Sequence, residues 1–123
     1  MNLREKSWVM IDDLISYGIE GLPVKTYHGF YMIYYKDAIG YIIGGWEEYE
    51  VNHWLLPNAK GVVVDVGAHF GYYTLLAAKK AEKVIAIEPL PENFRLLKAN
   101  VVLNCLNNVI LVKKAIQIIE GER

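Results

Sequence analysis

The fold is decided by residues 61–74, which read GVVVDVGAHFGYYT. The Val-rich run before Asp65 has the length and the β-branched residues of a strand covered on both faces, which is typical of a parallel sheet. Gly67 and Gly71 then free the backbone to turn sharply and let a ligand approach closely. A helix is predicted from Tyr72 to Ala81. The stretch therefore predicts a strand, a glycine loop and a helix, arranged as a ligand-binding turn.

A second strand also ends in an acid. Residues 83–88 read KVIAIE, and the spacing between Asp65 and Glu88 is typical of nucleotide-binding α/β units. A carboxylate at the tip of this strand can accept hydrogen bonds from both hydroxyls of a ribose. Glu88 is therefore the predicted ribose ligand, and its conjunction with Asp65 favours a cofactor site over a plain strand-helix connection.

The loop differs from a dinucleotide-binding fingerprint, because His69 and Tyr72 occupy two of the positions that require glycine. A bulky residue at the first of these positions would crowd a pyrophosphate at the helix N-terminus. S-adenosylmethionine has no phosphate, and Asp65 suits its positively charged end. These features favour S-adenosyl-L-methionine over NAD or FAD. A nucleotide-binding half of a reductase is the weaker alternative.

Residues 63–74 and 86–94 resemble the two signature motifs of the FkbM-type methyltransferases, which are class I S-adenosylmethionine enzymes. The resemblance runs from about residue 30 to residue 115, and the family usually has Asn where this chain has His69. It implies a partial Rossmann-like α/β fold with the first three parallel strands of the methyltransferase sheet. The family's later acidic motif and the strands that follow have no counterpart, so no catalytic residue is carried over.

The resemblance also implies a set of cofactor contacts along the two motifs. They are Asp65, Gly67 and Gly71 around the methionine portion, Glu88 at the ribose, Leu90 and Asn93 near the adenine, and the neighbouring Ala68, His69, Tyr72, Thr74 and Pro89.

Composition sets the outer bounds of this interpretation. The chain has 123 residues, of which 54% are hydrophobic and 22% charged, as expected for a folded single-domain chain. A net charge of −1 indicates neither a nucleic-acid partner nor a membrane surface. No apolar run has the length of a membrane span, and we expect a cytoplasmic protein. Cys105, the single cysteine, is expected to be buried, and no metal site is predicted.

The rest of the chain is predicted to form elements on both sides of this unit, with a boundary between residues 1–57 and the cofactor-binding residues 58–123. The predicted elements are an amphipathic helix at 5–17, a β-hairpin made of 24–27 and 30–35, a short strand at 41–43, a helix at 46–56 that Pro57 ends, a helix at 91–103 and a strand at 109–112.

The strand at 62–66 would lie at an edge of this partial sheet, where exposed apolar residues invite pairing with another chain. We therefore expect a homo-oligomer, or a second chain that completes the sheet. Two functions stay open. One is a methyltransferase, with unknown acceptor, whose missing half comes from a partner. The other is a non-catalytic module that dimerises through its open edge.

Overall fold

A computed structural model of the protein describes residues 20–26, 28–35 and 49–117, with the side chains of 49–52 outside that description. The elements within these residues are, in chain order, β1 (Pro23–Lys25), β2 (Tyr31–Ile33), α1 (Tyr49–Asn58), β3 (Val62–Val66), α2 (Tyr72–Ala78), β4 (Lys83–Ile87), α3 (Pro91–Leu103) and β5 (Val109–Val112). The predicted helix at 5–17 and the predicted strand at 41–43 lie outside the described residues.

Strands β3, β4 and β5 form a parallel sheet in that spatial order. Val64 lies beside Ile85, which in turn lies beside Ile110. Helices α2 and α3 make the two connections between these strands, as parallel pairing requires. The predicted α/β class is confirmed, and β3 lies at an edge of this sheet, as expected.

The two faces of this sheet have different surroundings. Val63 of β3 and Val84 of β4 face the helices, where they pack with Leu55 of α1 and the alanines at the end of α2. Helices α1, α2 and α3 all pack on that same side, so within residues 20–26, 28–35 and 49–117 no helix covers the opposite, open face. On that open face Val62, Val64 and Val66 are 60%, 54% and 59% exposed. The expectation that β3 is covered on both faces is therefore wrong for the part of the chain that the structure describes.

The predicted hairpin is confirmed by the antiparallel pairing of β1 with β2, in which Val24 lies opposite Met32. Gly29 provides the left-handed turn between the strands, with a φ of 88°. Met32 and Phe30 are buried in the same apolar cluster as Leu97 of α3. The hairpin therefore packs against the helix that follows β4.

Two helix ends differ from the sequence-based expectation. Helix α2 ends at Ala78 rather than Ala81, because the Asn108 side-chain amide donates to the Ala78 carbonyl (2.9 Å) and the Ala81 carbonyl (3.1 Å). A helix that continued would use the Ala78 carbonyl for its own next turn. Helix α1 runs one residue beyond Pro57.

Cys105 is exposed, so the expectation of a buried thiol is wrong. It follows the C-terminus of α3 with a φ of 54°, and its N–H donates to the Val102 carbonyl (3.0 Å). The N–H of Leu106 donates to the Val101 carbonyl (3.3 Å). These two bonds form a Schellman motif, in which the left-handed residue directs its side chain away from the helix.

Candidate cofactor site

The loop after β3 has left-handed backbone at three alternate residues. Gly67, His69 and Gly71 have φ angles of 71°, 54° and 101°. At Gly71 a second constraint applies, because an added Cβ would lie 2.8 Å from Leu97 Cδ1 of α3. The backbone angle favours glycine there, and an added Cβ would in addition require the Leu97 side chain to shift.

Backbone hydrogen bonds hold this loop against the end of β4. The N–H groups of Gly67 and Ala68 both donate to the Ile87 carbonyl, at 2.9 and 3.0 Å. The Gly71 N–H donates to the Ala68 carbonyl across the turn (2.9 Å). From α3, the Asn100 side-chain amide donates to the Phe70 carbonyl (2.7 Å). The loop is thus shaped before any ligand binds.

Glu88 lies directly after β4 and is only 2% exposed. Its Oε1 accepts a hydrogen bond from the His69 N–H (2.8 Å), and its Oε2 accepts one from the Leu90 N–H (3.0 Å). One carboxylate therefore connects the glycine loop to the connection that precedes α3. Each oxygen has a second lone pair, so these bonds leave acceptor capacity for a ribose hydroxyl.

Asp65 lies in β3 on the helix-facing side of the sheet. Its Oδ2 accepts a hydrogen bond from the Thr74 hydroxyl (2.6 Å), and Thr74 is fully buried. Burial raises the pKa of the Asp65 carboxyl above its ordinary value, and the Thr74 hydrogen bond opposes that rise. The N-cap residue of α2 is Gly71, so Thr74 supports Asp65 rather than capping the helix.

A cavity of about 310 Å³ opens beside Asp65 and the glycine loop. Its lining consists of Asp65, Val66, Gly67, Ala68, His69, Phe70, Tyr72 and Tyr73. A volume of this size lies at the lower end of the range of small-molecule sites.

The cavity brings together five of the predicted cofactor residues, namely Asp65, Gly67, Ala68, His69 and Tyr72. The other predicted residues surround it or lie apart. Thr74 contacts Asp65, Glu88 contacts the backbone of His69, and Gly71 packs on Leu97. Pro89 and Leu90 are exposed before α3 and Asn93 lies in its first turn, and none of these three lines the cavity.

Sequence reasoning missed three lining residues, of which Tyr73 is the most informative. Its hydroxyl is buried and has no hydrogen-bond partner among the residues that the structure describes. A buried hydroxyl without a partner is unfavourable unless a water or a ligand satisfies it. Its position beside the predicted Tyr72 was the only signal in the sequence. Sequence reasoning also missed Asn100 of α3, whose side-chain amide donates to the Phe70 carbonyl.

The described residues contain no group of three or more His, Cys, Asp or Glu side chains placed to hold a metal ion. None of their helices is long and apolar enough to cross a membrane.

Residues 50–122 match the sequence model of the TRM5/TYW2 methyltransferase domain. This match covers more than half of the chain and includes every predicted cofactor residue. The chain belongs to the TRM5/TYW2 methyltransferase domain family.

Three proteins are similar to this chain. An uncharacterised protein of Methanocaldococcus jannaschii is 43% identical over 61 residues, which are 50% of this chain and 21% of that protein. The M. jannaschii tRNA m1G37 methyltransferase is 25% identical, with a TM-score of 0.56 over 77% of this chain and 29% of that one. The complex of aTrm5 with tRNALeu is 23% identical, with a TM-score of 0.57 over 79% of this chain and 28% of that one.

These comparisons support a class I methyltransferase with a Rossmann-like fold, and S-adenosyl-L-methionine is its cofactor, as the loop predicted. They do not support the FkbM family specifically. They also remove the basis for setting nucleic acid aside, since two of the relatives are a tRNA complex and a tRNA methyltransferase. A net charge near zero was insufficient evidence on that point. This chain spans less than a third of the length of each of these three relatives.

Proposed function

We propose that this chain is the cofactor-binding part of a methyltransferase that acts on a nucleoside of tRNA. The observation that carries the proposal is the preformed glycine loop, which Glu88 and Ile87 hold beside the half-buried Asp65. Membership of the TRM5/TYW2 family supports methyl transfer, and the tRNA methyltransferase from M. jannaschii supports tRNA as the acceptor.

The groups around the cavity fit S-adenosylmethionine. The Asp65 carboxylate can accept hydrogen bonds from the cofactor's ammonium, with Thr74 fixing its orientation. The unused lone pairs of Glu88 can accept from a ribose hydroxyl. The buried Tyr73 hydroxyl offers a further polar group that a ligand can satisfy.

The bound cofactor supplies a sulfonium methyl group that a nucleophile can attack in line. The contribution of this chain is to bind and orient that methyl group, because a preformed loop reduces the ordering that must accompany binding. The relatives are longer than this chain, and we place the acceptor-binding residues in a segment equivalent to the part of them that this chain does not match. That segment belongs either to the same polypeptide or to a partner that pairs with β3.

Two measurements test the proposal. Calorimetric titration should show that the purified chain binds S-adenosylmethionine and does not bind NAD. In the presence of the polypeptide that supplies the remaining length, S-adenosylmethionine tritiated on its methyl group and transcribed tRNA should then give labelled tRNA, with DNA of the same sequence as the control acceptor. Binding of NAD alone would overturn the cofactor assignment. Binding of S-adenosylmethionine with label on neither acceptor, in the presence of the complementing polypeptide, would overturn the tRNA assignment.

The second candidate is a non-catalytic module that binds the cofactor and dimerises through β3. The exposed valines on the open face of β3 favour it. The mass of the chain in solution distinguishes the two candidates when it is combined with the labelling experiment. A stable dimer that binds the cofactor and labels no acceptor would support the module. A monomer would contradict it.

A further inference from the structure

The Asn100 side chain lies at the junction of three elements. It belongs to α3, its exposed fraction is 0%, and it is one of the largest fully buried side chains. Its Oδ1 accepts a hydrogen bond from the Ile33 N–H of β2 (2.8 Å). Its Nδ2 donates to the Phe70 carbonyl of the glycine loop (2.7 Å). A single amide therefore joins the hairpin to the loop that lines the cofactor cavity.

The chemistry of the two partners fixes the orientation of this amide. A backbone N–H needs an acceptor and a backbone carbonyl needs a donor, so exchanging the oxygen and nitrogen of Asn100 would break both contacts. The Leu side chain and an ionised Asp side chain have similar size but cannot make both bonds. Asparagine is thus matched to this position by its hydrogen bonding rather than by its volume.

Phe70 occupies the position where such a contact can control the loop. It lies between His69 and Gly71, which both have left-handed backbone, and it lines the cavity. Rotation of the peptide after Phe70 would turn its carbonyl away from Asn100 and would change the backbone angles at Gly71. The hydrogen bond from Asn100 opposes that rotation.

We propose that Asn100 is a positioning residue for the cofactor, because it fixes the Phe70 peptide and makes the β1–β2 hairpin part of the support of the glycine loop. This inference rests on the proposed function of the cavity as the S-adenosylmethionine site. It predicts that loss of the Asn100 contact weakens cofactor binding even when the chain stays folded.

Asn104, the C-cap residue of the same helix, provides a matched control. Its Oδ1 accepts from the Tyr31 N–H and its Nδ2 donates to the Tyr31 carbonyl, both at 2.7 Å. It also donates to the Asn100 carbonyl (2.7 Å). Asn104 therefore holds the same hairpin to the same helix, but its hydrogen bonds do not include the glycine loop.

The experiment compares Asn100→Asp with Asn104→Asp. In each variant the ionised carboxylate places an oxygen where the amide nitrogen faced a backbone carbonyl, while the acceptor for the N–H of β2 is kept. Titrations are repeated over a pH series, because a protonated carboxyl could still donate to that carbonyl. The affinity for S-adenosylmethionine is measured by calorimetry, and urea unfolding is measured on the same samples. We expect about tenfold weaker binding for Asn100→Asp and a change within about twofold for Asn104→Asp. Both variants should unfold at lower urea concentration than the unmodified chain.

Each other result has a defined meaning. Unchanged affinity in folded Asn100→Asp would overturn the inference, as would equal weakening in the two variants, since equal weakening would assign the effect to hairpin docking. If the unmodified chain binds no S-adenosylmethionine, the proposed function fails and the inference fails with it.

A measurement on the unmodified chain covers the case in which Asn100→Asp does not fold. The side-chain amide resonances of Asn100 and Asn104 are followed by NMR during titration with S-adenosylmethionine. The Asn100 resonances should shift with the binding curve, and those of Asn104 should stay in place. Shifts of equal size, or none at Asn100, would contradict the positioning role.

Discussion

Two connections leave the carboxyl ends of the neighbouring strands β3 and β4, and they are built in different ways. Residues 67–71, after β3, contain three left-handed residues and are held by hydrogen bonds from outside the loop. In residues 88–90, after β4, Leu90 is extended, with φ −77° and ψ 125°, and Pro91 fixes the first position of α3. The second connection is stiffened by its own prolines, whereas the first takes its shape from Ile87, Glu88 and Asn100. A glycine motif permits this loop, and its neighbours determine it.

The largest effect is expected where the loop touches α3. Gly71→Ala adds a Cβ at 2.8 Å from Leu97 Cδ1 and forces a side chain into a φ of 101°. Strain and overpacking together should lower the free energy of unfolding by about 2–5 kcal/mol. Urea unfolding followed by circular dichroism measures this loss.

Gly61→Ala is the control for that variant. Gly61 has a φ of 59°, and nothing lies within 4 Å of an added Cβ. Its substitution should lower stability by only about 1 kcal/mol. Equal losses in the two variants would show that the backbone angle alone, and not the approach of α3, makes glycine necessary in the loop.

The next effect concerns the carboxylate that the two connections share. Glu88→Ala leaves the N–H groups of His69 and Leu90 without their acceptor, and it should lower stability by about 2–4 kcal/mol. Affinity for S-adenosylmethionine, measured by calorimetry, should fall by about 1–3 kcal/mol because a ribose contact is lost with the loop's support. Glu82→Ala, at an exposed glutamate before β4, should change stability by less than about 0.5 kcal/mol. Unchanged cofactor affinity in Glu88→Ala would remove Glu88 from the site.

A smaller, pH-dependent effect is expected at Asp65. Because burial raises the pKa of its carboxyl, the folded state binds more protons than the unfolded state between the two pKa values. The contribution of Asp65 to stability therefore falls as pH rises from its unfolded pKa, near 3.9, through the raised folded pKa. In Asp65→Asn this dependence is absent, so the variant should gain stability relative to the unmodified chain over that pH range. Urea unfolding at a series of pH values measures the difference.

The same substitution should weaken S-adenosylmethionine binding at neutral pH, since the ammonium loses a charged acceptor. Asp65 would then reduce stability while it supports binding. A stability difference that does not vary with pH would contradict the raised pKa.

The smallest effect is expected at His69, the left-handed residue of the loop that is not glycine. Its side chain is exposed, and its N–H already binds Glu88. His69→Gly relieves the strain of left-handed backbone in the folded state but raises the conformational entropy of the unfolded state. Because these two effects oppose each other, the free energy of unfolding should change by less than about 1 kcal/mol. Cofactor affinity should stay within about twofold. A larger loss of cofactor affinity would show that the imidazole contacts the ligand. It would contradict the interpretation that this loop binds through its backbone.

The comparison of the two connections also shows what sequence could predict. The strand at 62–66, the glycine loop and the acid at the end of β4 follow from local pattern, because periodicity and turn residues act over short distances. Asn100 gave no such signal, since its role depends on Ile33 and Phe70, which lie far away along the chain. Sequence reasoning also failed at the open face of β3.

The open face was missed for a related reason. A run of valines indicates a strand with two apolar faces, but it does not say how many helices are present to cover them. The length of α2 depended in the same way on Asn108, which lies 30 residues beyond the helix end that it binds. Sequence pattern thus predicted the strands of the parallel sheet and the helices that connect them, and it proposed a place for the site, while the contacts that shape this place required the folded chain.

Asn100 of α3 and Asn104, the C-cap residue of that helix, have a geometric consequence for the hairpin. Asn100 and Asn104 are four residues apart on a helix, a rise of about 6 Å, and the N–H groups of Tyr31 and Ile33 are two residues apart on a strand, about 6.6 Å. Because these repeats nearly match, one side of a helix presents amides at the spacing of a neighbouring strand. The two amides thereby occupy the N–H groups of Tyr31 and Ile33 and the carbonyl of Tyr31. These groups of β2 cannot pair with a further strand at the same time, in contrast to the edge of β3.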